Sequence, residues 1–437
     1  MRGDRIARLA GLLLAVVAAT GIVIGPGVLP GTSAGPAQAA AHGRGHWPPS
    51  VLFVAPHGQR YAADRSCGSA AFRRIQSAVN AAGVWGTVVV CRGVYAEQVV
   101  IAKPLAVIGK SAVIDEARVR PTLRIRVPGL GVQTIFAAVV IASSHVRIAG
   151  VKVQHAQGEG ILAAGVGHPI RGISIEHNVV VHNDLGGGVP PASTYFQCQA
   201  QGEVPGDCGE GVHLLDVAYS RVSGNDISDN SGGILMSDDT GPTHHNLVDH
   251  NKVTGNAADC GITIPGHNGH ALSATGRRRP AVAGVYDNVI WANVVTRNGL
   301  AGEGAGVLFA NAGPGTAVYG NLVEYNVIAR NSLAGVTFHA HTLRPGQVED
   351  LSGNSVIGNW IWANNLLGDT LDAPASPVVL ARTGVLVFSG GTRISVTIAR
   401  NHVFNNHFGI WLSRPVTAHG LRSNSFRNVA VPVSAHN

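Results

Sequence analysis

Charge is scarce in this sequence of 437 residues: 13% of positions are Asp, Glu, Lys or Arg, and aromatic residues make up only 5%. Lysine occurs only at Lys103, Lys110, Lys152 and Lys252, so the formal charge of +7 comes almost wholly from arginine. No basic residues interleave with aromatics and no nucleic-acid motif accompanies the excess, which excludes nucleic acid as the expected partner. The sign of the charge suits acidic polymers such as uronate-rich glycans. No two of the five cysteines lie two to four residues apart, and no His-Glu-x-x-His occurs, so the common zinc motifs are missing. No linker-like change of composition divides the chain, which argues for one long domain. With 45% apolar residues the chain is too hydrophobic for disorder.

One long apolar run is present, from Leu9 to Ile24, preceded by Arg2, Arg5 and Arg8 and followed by Ala37-Gln38-Ala39. That is the plan of a secretory signal over residues 1–39, cleaved after Ala39 or Ala40. The expected product is secreted or held at the cell wall, is monomeric, and has no membrane segment after cleavage. Residues 40–65 then read as a leader and 66–437 as the folded domain. In an exported chain cysteines favour disulfides. Cys67 and Cys91 flank the first predicted helix and strand, and Cys198 and Cys208 bracket a Gly/Pro-rich insertion, so each is expected to pair, leaving Cys260 over.

What the sequence has in abundance is glycine, with 57 residues, and a repeat. Asn-x4-Asn, followed by Gly and an apolar alternation, recurs as Asn178/Asn183, Asn225/Asn230, Asn251/Asn256, Asn293/Asn298, Asn326/Asn331, Asn359/Asn364 and Asn401/Asn406. The steps between first asparagines are 47, 26, 42, 33, 33 and 42 residues, so the unit is near the low twenties and longer steps carry inserted loops or skip a coil. Each unit reads as two or three strands of three to five residues joined by Asn or Gly corners. Strands this short pair with the equivalent strands of the next coil, which makes a solenoid. Asparagine suits its corners because it tolerates left-handed backbone angles and its amide can bond to the amides above and below. The fold class expected is all-β, a single-stranded right-handed parallel β-helix. A helix from about Ala70 to Ala82, with Phe72, Ile75, Val79 and Ala82 on one face, would cap its first coil.

Three stretches carry a resemblance: Phe72-Arg-Arg-Ile-Gln-Ser-Ala-Val-Asn-Ala-Ala, Thr87-Val-Val-Val-Cys-Arg-Gly-Val-Tyr-Ala-Glu and Lys103-Pro-Leu-Ala-Val-Ile-Gly. They look like the opening of pectin-lyase-like β-helix proteins, a group that includes pectin methylesterases and NosD-like proteins. The units from about Val151 to Val433 resemble the parallel β-helix repeats of the same superfamily. The methylesterase active-site motifs are absent, so that activity is not implied.

The Gly of each unit, at Gly211, Gly233, Gly261, Gly306, Gly335, Gly384 and Gly409, sets the register. The next residue (Val212, Ile234, Ile262, Val307, Val336, Val385, Ile410) should face inward and the second one outward. The outward positions and strand ends then form a stripe of His213, Asp216, Ser237, Asp238, Asp239, His267, Asn311, His339 and His341. Carboxylates on neighbouring coils suit inverting glycoside hydrolysis, one acting as acid and the other activating water. Asp216, Asp238, Asp239 and His267 are therefore the candidate catalytic residues. The order Asp, Asp-Asp, Gly-His is similar to that of the polygalacturonase family, where such residues carry hydrolysis. Leu214-Leu215-Asp216 stands where that family has Asn-Thr-Asp, and Gly266-His267-Asn268 where it has Gly-His-Gly, so the likeness marks a location.

His213, His244, Asn246 and Arg277 are the candidate substrate contacts, with insertions 186–209 and 266–283 as walls of a cleft. No cofactor is required by the sequence. A divalent metal is compatible with Asp238, Asp239, His244, His245, His267 or the pair His339 and His341. Two functions follow: binding or processing an extracellular polysaccharide, with hydrolysis ahead of elimination, or a non-catalytic wall scaffold or NosD-like accessory protein that handles metal.

Overall fold

The computed structural model describes residues 50–60, 62–127, 131–183, 209–302, 304–340, 344–368 and 381–435. Within the compact unit that runs from Pro48 to Asn437, 30 strands join in one sheet wound as successive coils. Every pairing in that sheet for which a register is resolved is parallel, for example Ile234↔Ile262, Val248↔Ile290 and Val253↔Val295. The chain thus passes three faces per coil. The first face holds Glu210–Leu215, Gly232–Ser237 and Ile262–Gly266, the second Arg221–Ser223 and Leu247–Asp249, and the third Asp226–Ser228 and Lys252–Thr254.

The alternation of apolar and polar residues explains why these strands stack. Val212, Ile234, Ile262, Val307, Val336, Val385 and Ile410 are all fully buried and form the inner column of the first face, as the Gly register predicts. Val222, Val248, Ile290 and Val323 do the same for the second face, and Ile227, Val253, Val295 and Ile328 for the third. Each such side chain contributes about 1.5–3 kcal/mol by leaving water. No single coil could enclose them, so coils are stable only in a stack.

The corners are amide ladders. Asn225 donates its N–H and its Nδ2 to Oδ1 of Asn251, which does the same to Asn293, and so on through Asn326, Asn359 and Asn401 to Asn424. A second ladder runs from Asn183 through Asn230, Asn256, Asn298 and Asn331 to Asn364. The spare Nδ2 hydrogen goes to a backbone carbonyl, as from Asn251 to Val222, so each buried amide is satisfied. A third ladder, Asn246, Asn288, Asn321 and Asn354, lies five residues ahead of the first and is an addition to the two that the spacing revealed.

Long steps in the repeat are insertions and not skipped coils. Ser174–Glu176 pairs directly with Arg221–Ser223 and Leu247–Asp249 with Val289–Trp291, although 47 and 42 residues separate them. The coil stack also begins earlier than residue 66, because Val51–Val54 pairs with Thr87–Val90.

The capping helix is Ile75–Ala81, with Ile75, Ala78 and Val79 buried. It starts five residues later than expected because Phe72 pairs with the first strand, its N–H donating to Phe53. The Glu97 carboxylate accepts the N–H groups of Ile75 and Gln76 at 2.7 and 3.0 Å and so caps the helix from the next coil. Cys67 and Cys91 form the expected disulfide. Cys198 and Cys208 lie outside the described residues. Among the described residues no helix is long and apolar enough to cross a membrane.

Candidate functional site on the first face

The outer side of the first face changes character along the stack. At its start the hairpin of Arg124–Val127 and Gly131–Thr134 lies close by, and Leu123 and Ile125 pack on Val140, Leu162 and Leu215. Farther on, Leu386, Phe408 and Trp411 form another apolar patch. Between the two, polar and ionisable side chains join apolar ones such as Leu235 and Leu308, and they too are buried: Glu159 and His213 are 0% exposed and Glu210 is 1% exposed.

These groups form a relay across four coils. Oε1 of Glu159 lies 3.1 Å from Nδ1 of His213, and Nε2 of His213 lies 2.9 Å from Oγ of Ser237. The Ser237 hydroxyl acts in turn on Asp239, whose Oδ1 lies 3.0 Å from Nδ1 of His267. The last pair reaches the surface, with side chains 15% and 7% exposed. Burial alone would raise the Asp239 pKa, but the charge and hydrogen bond of His267, the Ser237 hydroxyl and the charge of His213 outweigh it and hold Asp239 below the ordinary carboxylate range. An ionised Asp239 orients the His267 ring through Nδ1.

Asp238 takes a different part from the one expected. Its Oδ1 accepts the N–H groups of His267 and Asn268 at 2.7 and 3.1 Å, and its Oδ2 accepts that of Gly284 at 2.7 Å. The carboxylate therefore pins both ends of the 267–284 loop to the strand, and its oxygens are committed to backbone. Burial, helped by the Asp239 charge, pushes its pKa up to about 6. Asp216 lies in the corner after the strand, at a φ of 53°, against Gly165 and Gly241, and continues the Leu215↔Ser237 register that sets it one coil before Asp238. Burial alone raises its pKa to about 7, with no contribution from Asp238 or Asp239. Asp216 and Asp238 thus sit on neighbouring coils as expected, but the oxygens of Asp238 are taken by backbone N–H groups.

The expected substrate contacts also divide. His213 sits inside the relay. Asn246 is a rung of the third amide ladder, 1% exposed, its Nδ2 donating to Val217 and Asn288, so its amide is not available to a ligand. His244 belongs to an aromatic stack at the corner between the first and second faces, 4.7 Å from Tyr286 and nearly coplanar with it, and Tyr286 stacks on Tyr319 at 4.9 Å. Its Nδ1 lies 2.8 Å from Nδ1 of His245, and burial followed by the His245 charge lowers its pKa. Arg277 is exposed in a turn closed by Ser273, while its neighbour Arg278 bonds Asp350 and lies 3.9 Å over the Tyr319 ring. Asn311 is fully buried beside Gly266, with neither end of its amide bonded. His341 and most of the 186–209 wall lie outside the described residues.

Three participants went unrecognised in the sequence: Glu159, Glu210 and Asp259. Glu159 and Glu210 face each other in register, each just ahead of a corner glycine, so the repeated Glu-Gly-Ile/Val was the signal. Burial, the charges of Glu159 and Asp259 and a hydrogen bond with Glu159 push the Glu210 pKa well above its ordinary value. Among the described residues, Glu159, Glu210 and His213 are the one group of three whose donor atoms all lie within 4.8 Å of one another, the spacing that a metal ion needs.

Comparisons with known proteins place the architecture. A family model described as the right handed beta helix region matches residues 136–342. No curated protein matches. Among solved structures, a pectate lyase is similar with a TM-score of 0.50 at 14% identity, over 86% of this chain and 78% of that one. An alginate lyase from Paenibacillus sp. str. FPU-7 gives 0.44 at 12% identity, over 82% and 96%, and the A-module of a mannuronan C-5 epimerase from Azotobacter vinelandii gives 0.42 at 13%, over 83% and 91%. At these identities the likeness is one of fold. The chain folds as a right-handed parallel β-helix.

Proposed function

We propose that this chain is an exported protein that binds an extracellular polysaccharide across the outer side of the first face and acts on it by proton transfer at His267. The observation that carries the reading is the Asp239–His267 pair, 3.0 Å apart, at the surface end of a buried polar relay. His267 takes or returns a proton, and Asp239 orients the ring and stabilises the imidazolium. Asp238 holds the 267–284 loop in place beside the pair. A pectate lyase shares the fold, and the +7 net charge has the sign that an acidic glycan attracts.

A second reading, binding without cleavage, is favoured by one observation: the oxygens of Asp238 are committed to backbone N–H groups, which withdraws that carboxylate from a hydrolytic pair. The test is a screen of the purified chain against a panel of neutral and acidic polysaccharides, reading new reducing ends, absorbance from unsaturated products, and binding. Reducing ends with absorbance indicate elimination, and reducing ends alone indicate hydrolysis. Turnover is expected to vanish in Asp239→Asn and His267→Ala while binding persists. Turnover that survives in the double variant refutes the assignment, and no binding to any glycan refutes the function.

A further inference from the structure

Glu210 is a side chain the polysaccharide reading does not use. It is 1% exposed, and apart from a proton it can share with Glu159 opposite, neither of its carboxylate oxygens meets a hydrogen-bond donor; Oε2 of Glu159 likewise lacks one. Among the described residues no lysine or arginine pairs with either; the one basic group that Glu159 meets is the His213 ring. Two coils beyond Glu210, Asp259 approaches the same space. Gly232 lies between them and keeps it open: a Cβ there would stand 3.1 Å from Cγ of Glu210 and 3.4 Å from Oδ2 of Asp259. Buried carboxylates with unused lone pairs are costly unless something positive shares the site.

We propose that Glu159, Glu210 and His213 hold a divalent transition-metal ion, Zn2+ by the chemistry of the donors, with Asp259 as outer carboxylate. Two carboxylates and an imidazole are a donor set that Zn2+ takes readily, whereas Ca2+ draws six to eight oxygens. The 3.1 Å between Nδ1 of His213 and Oε1 of Glu159 is close to the edge of a tetrahedron of ligands at about 2.0–2.2 Å from Zn2+. His213 is also held as a metal ligand is held. With Nδ1 toward the ion, its Nε2–H donates to Ser237 at 2.9 Å, the kind of outer partner that fixes ring orientation. A proton shared by the two glutamates would neutralise one charge and leave the other oxygens unsatisfied. A divalent ion neutralises both. Because the ligands come from two coils and are closed to solvent, the ion enters as those coils fold and links them.

The inference does not rest on the glycan reading, and its test uses no glycan. The chain is expressed with and without added Zn2+, dialysed against a chelator, titrated with Zn2+, and assayed for metal by plasma emission. The expected result is one tightly held Zn2+ per chain that resists brief chelation and raises the unfolding midpoint. Glu210→Gln, nearly the same shape, should lose that equivalent, and Ser237→Ala should weaken it roughly ten- to hundredfold. His402→Ala, at an exposed position, should leave it unchanged and so accounts for weak surface binding. Gly232→Ala keeps every ligand but narrows the space, and should also weaken the site. A wild-type chain that takes up no tight Zn2+ under either expression condition overturns the proposal. Retention of the tight equivalent in Glu210→Gln does so as well.

Discussion

Replacing Asp216 by asparagine should make the protein more stable in mild alkali and slightly less stable in acid. Asp216 is 3% exposed, its Oδ1 has no partner, and burial alone raises its pKa to about 7. In the unfolded chain the same group titrates near 4. Between those two values the folded state binds more proton than the unfolded state, so stability falls as pH rises through the window. The stability is fully present below about pH 4, and the loss is complete above about pH 7. The gap corresponds to about 4 kcal/mol at most. Asparagine does not titrate and accepts the left-handed backbone at this corner as readily as aspartate. Its extra buried N–H groups cost about 1–2 kcal/mol at any pH, which leaves a gain of roughly 2–3 kcal/mol near pH 8 and a loss of about 1–2 kcal/mol near pH 4. Urea unfolding of both proteins at the two pH values measures the difference, in which other raised groups such as Glu116 and Asp238 cancel. Asp216→Asn should also keep any glycan turnover. A pH-independent difference, or a loss of stability near pH 8, would show that Asp216 is not a strained buried acid.

Other consequences can be checked on the same material. Asp238→Ala frees three N–H groups, so amide exchange across 267–284, at Gly284 above all, should accelerate by at least an order of magnitude while exchange in the inner strands is unchanged. Asn326→Ala strips partners from Asn293 and Asn359 and from the Ile290 carbonyl, and should cost roughly 3–5 kcal/mol in urea unfolding, whereas Asn424→Ala at the part-exposed end of the ladder should cost under about 2 kcal/mol. Gly233→Ala would place Cβ 2.1 Å from the Gly261 carbonyl oxygen and should lose about 3 kcal/mol or more, while Gly232→Ala meets only the ends of the Glu210 and Asp259 side chains, at 3.1 Å or more, and should be tolerated by the fold.

The β-helix was legible because its physics repeats. An asparagine at every corner and a glycine at every strand entry recur at spacings a reader can align, and the inward column from Val212 to Ile410 followed directly. The site was legible only in part. Asp239 and His267 emerged because strand ends could be aligned between coils. Which oxygen of which aspartate meets which donor depends on how the 267–284 loop folds back, and no spacing records that, so Asp238 looked catalytic when it is an anchor. Asn246 was misread for the opposite reason: it obeys the repeat, five residues ahead of Asn251, and was seen as a loop residue because the third ladder is short. Glu159 and Glu210 were hidden by the 47-residue step between their coils, which concealed that they are direct neighbours.

The amide ladders also give the solenoid a direction. In each of them the N–H groups of one asparagine point to the next coil and the carbonyl oxygen points back, without reversal from Asn178 to Asn424. Unlike the strand hydrogen bonds, which run both ways, these dipoles add. The stack is therefore an electrical vector, positive toward the last coil, as a peptide helix is along its own axis. Cutting it between any two coils exposes donors on one lip and acceptors on the other. Whole coils could accordingly be duplicated or deleted with the new lips still complementary, and loops of any length could leave between the rungs. That rule accounts for how steps of 26 to 47 residues share one uninterrupted stack.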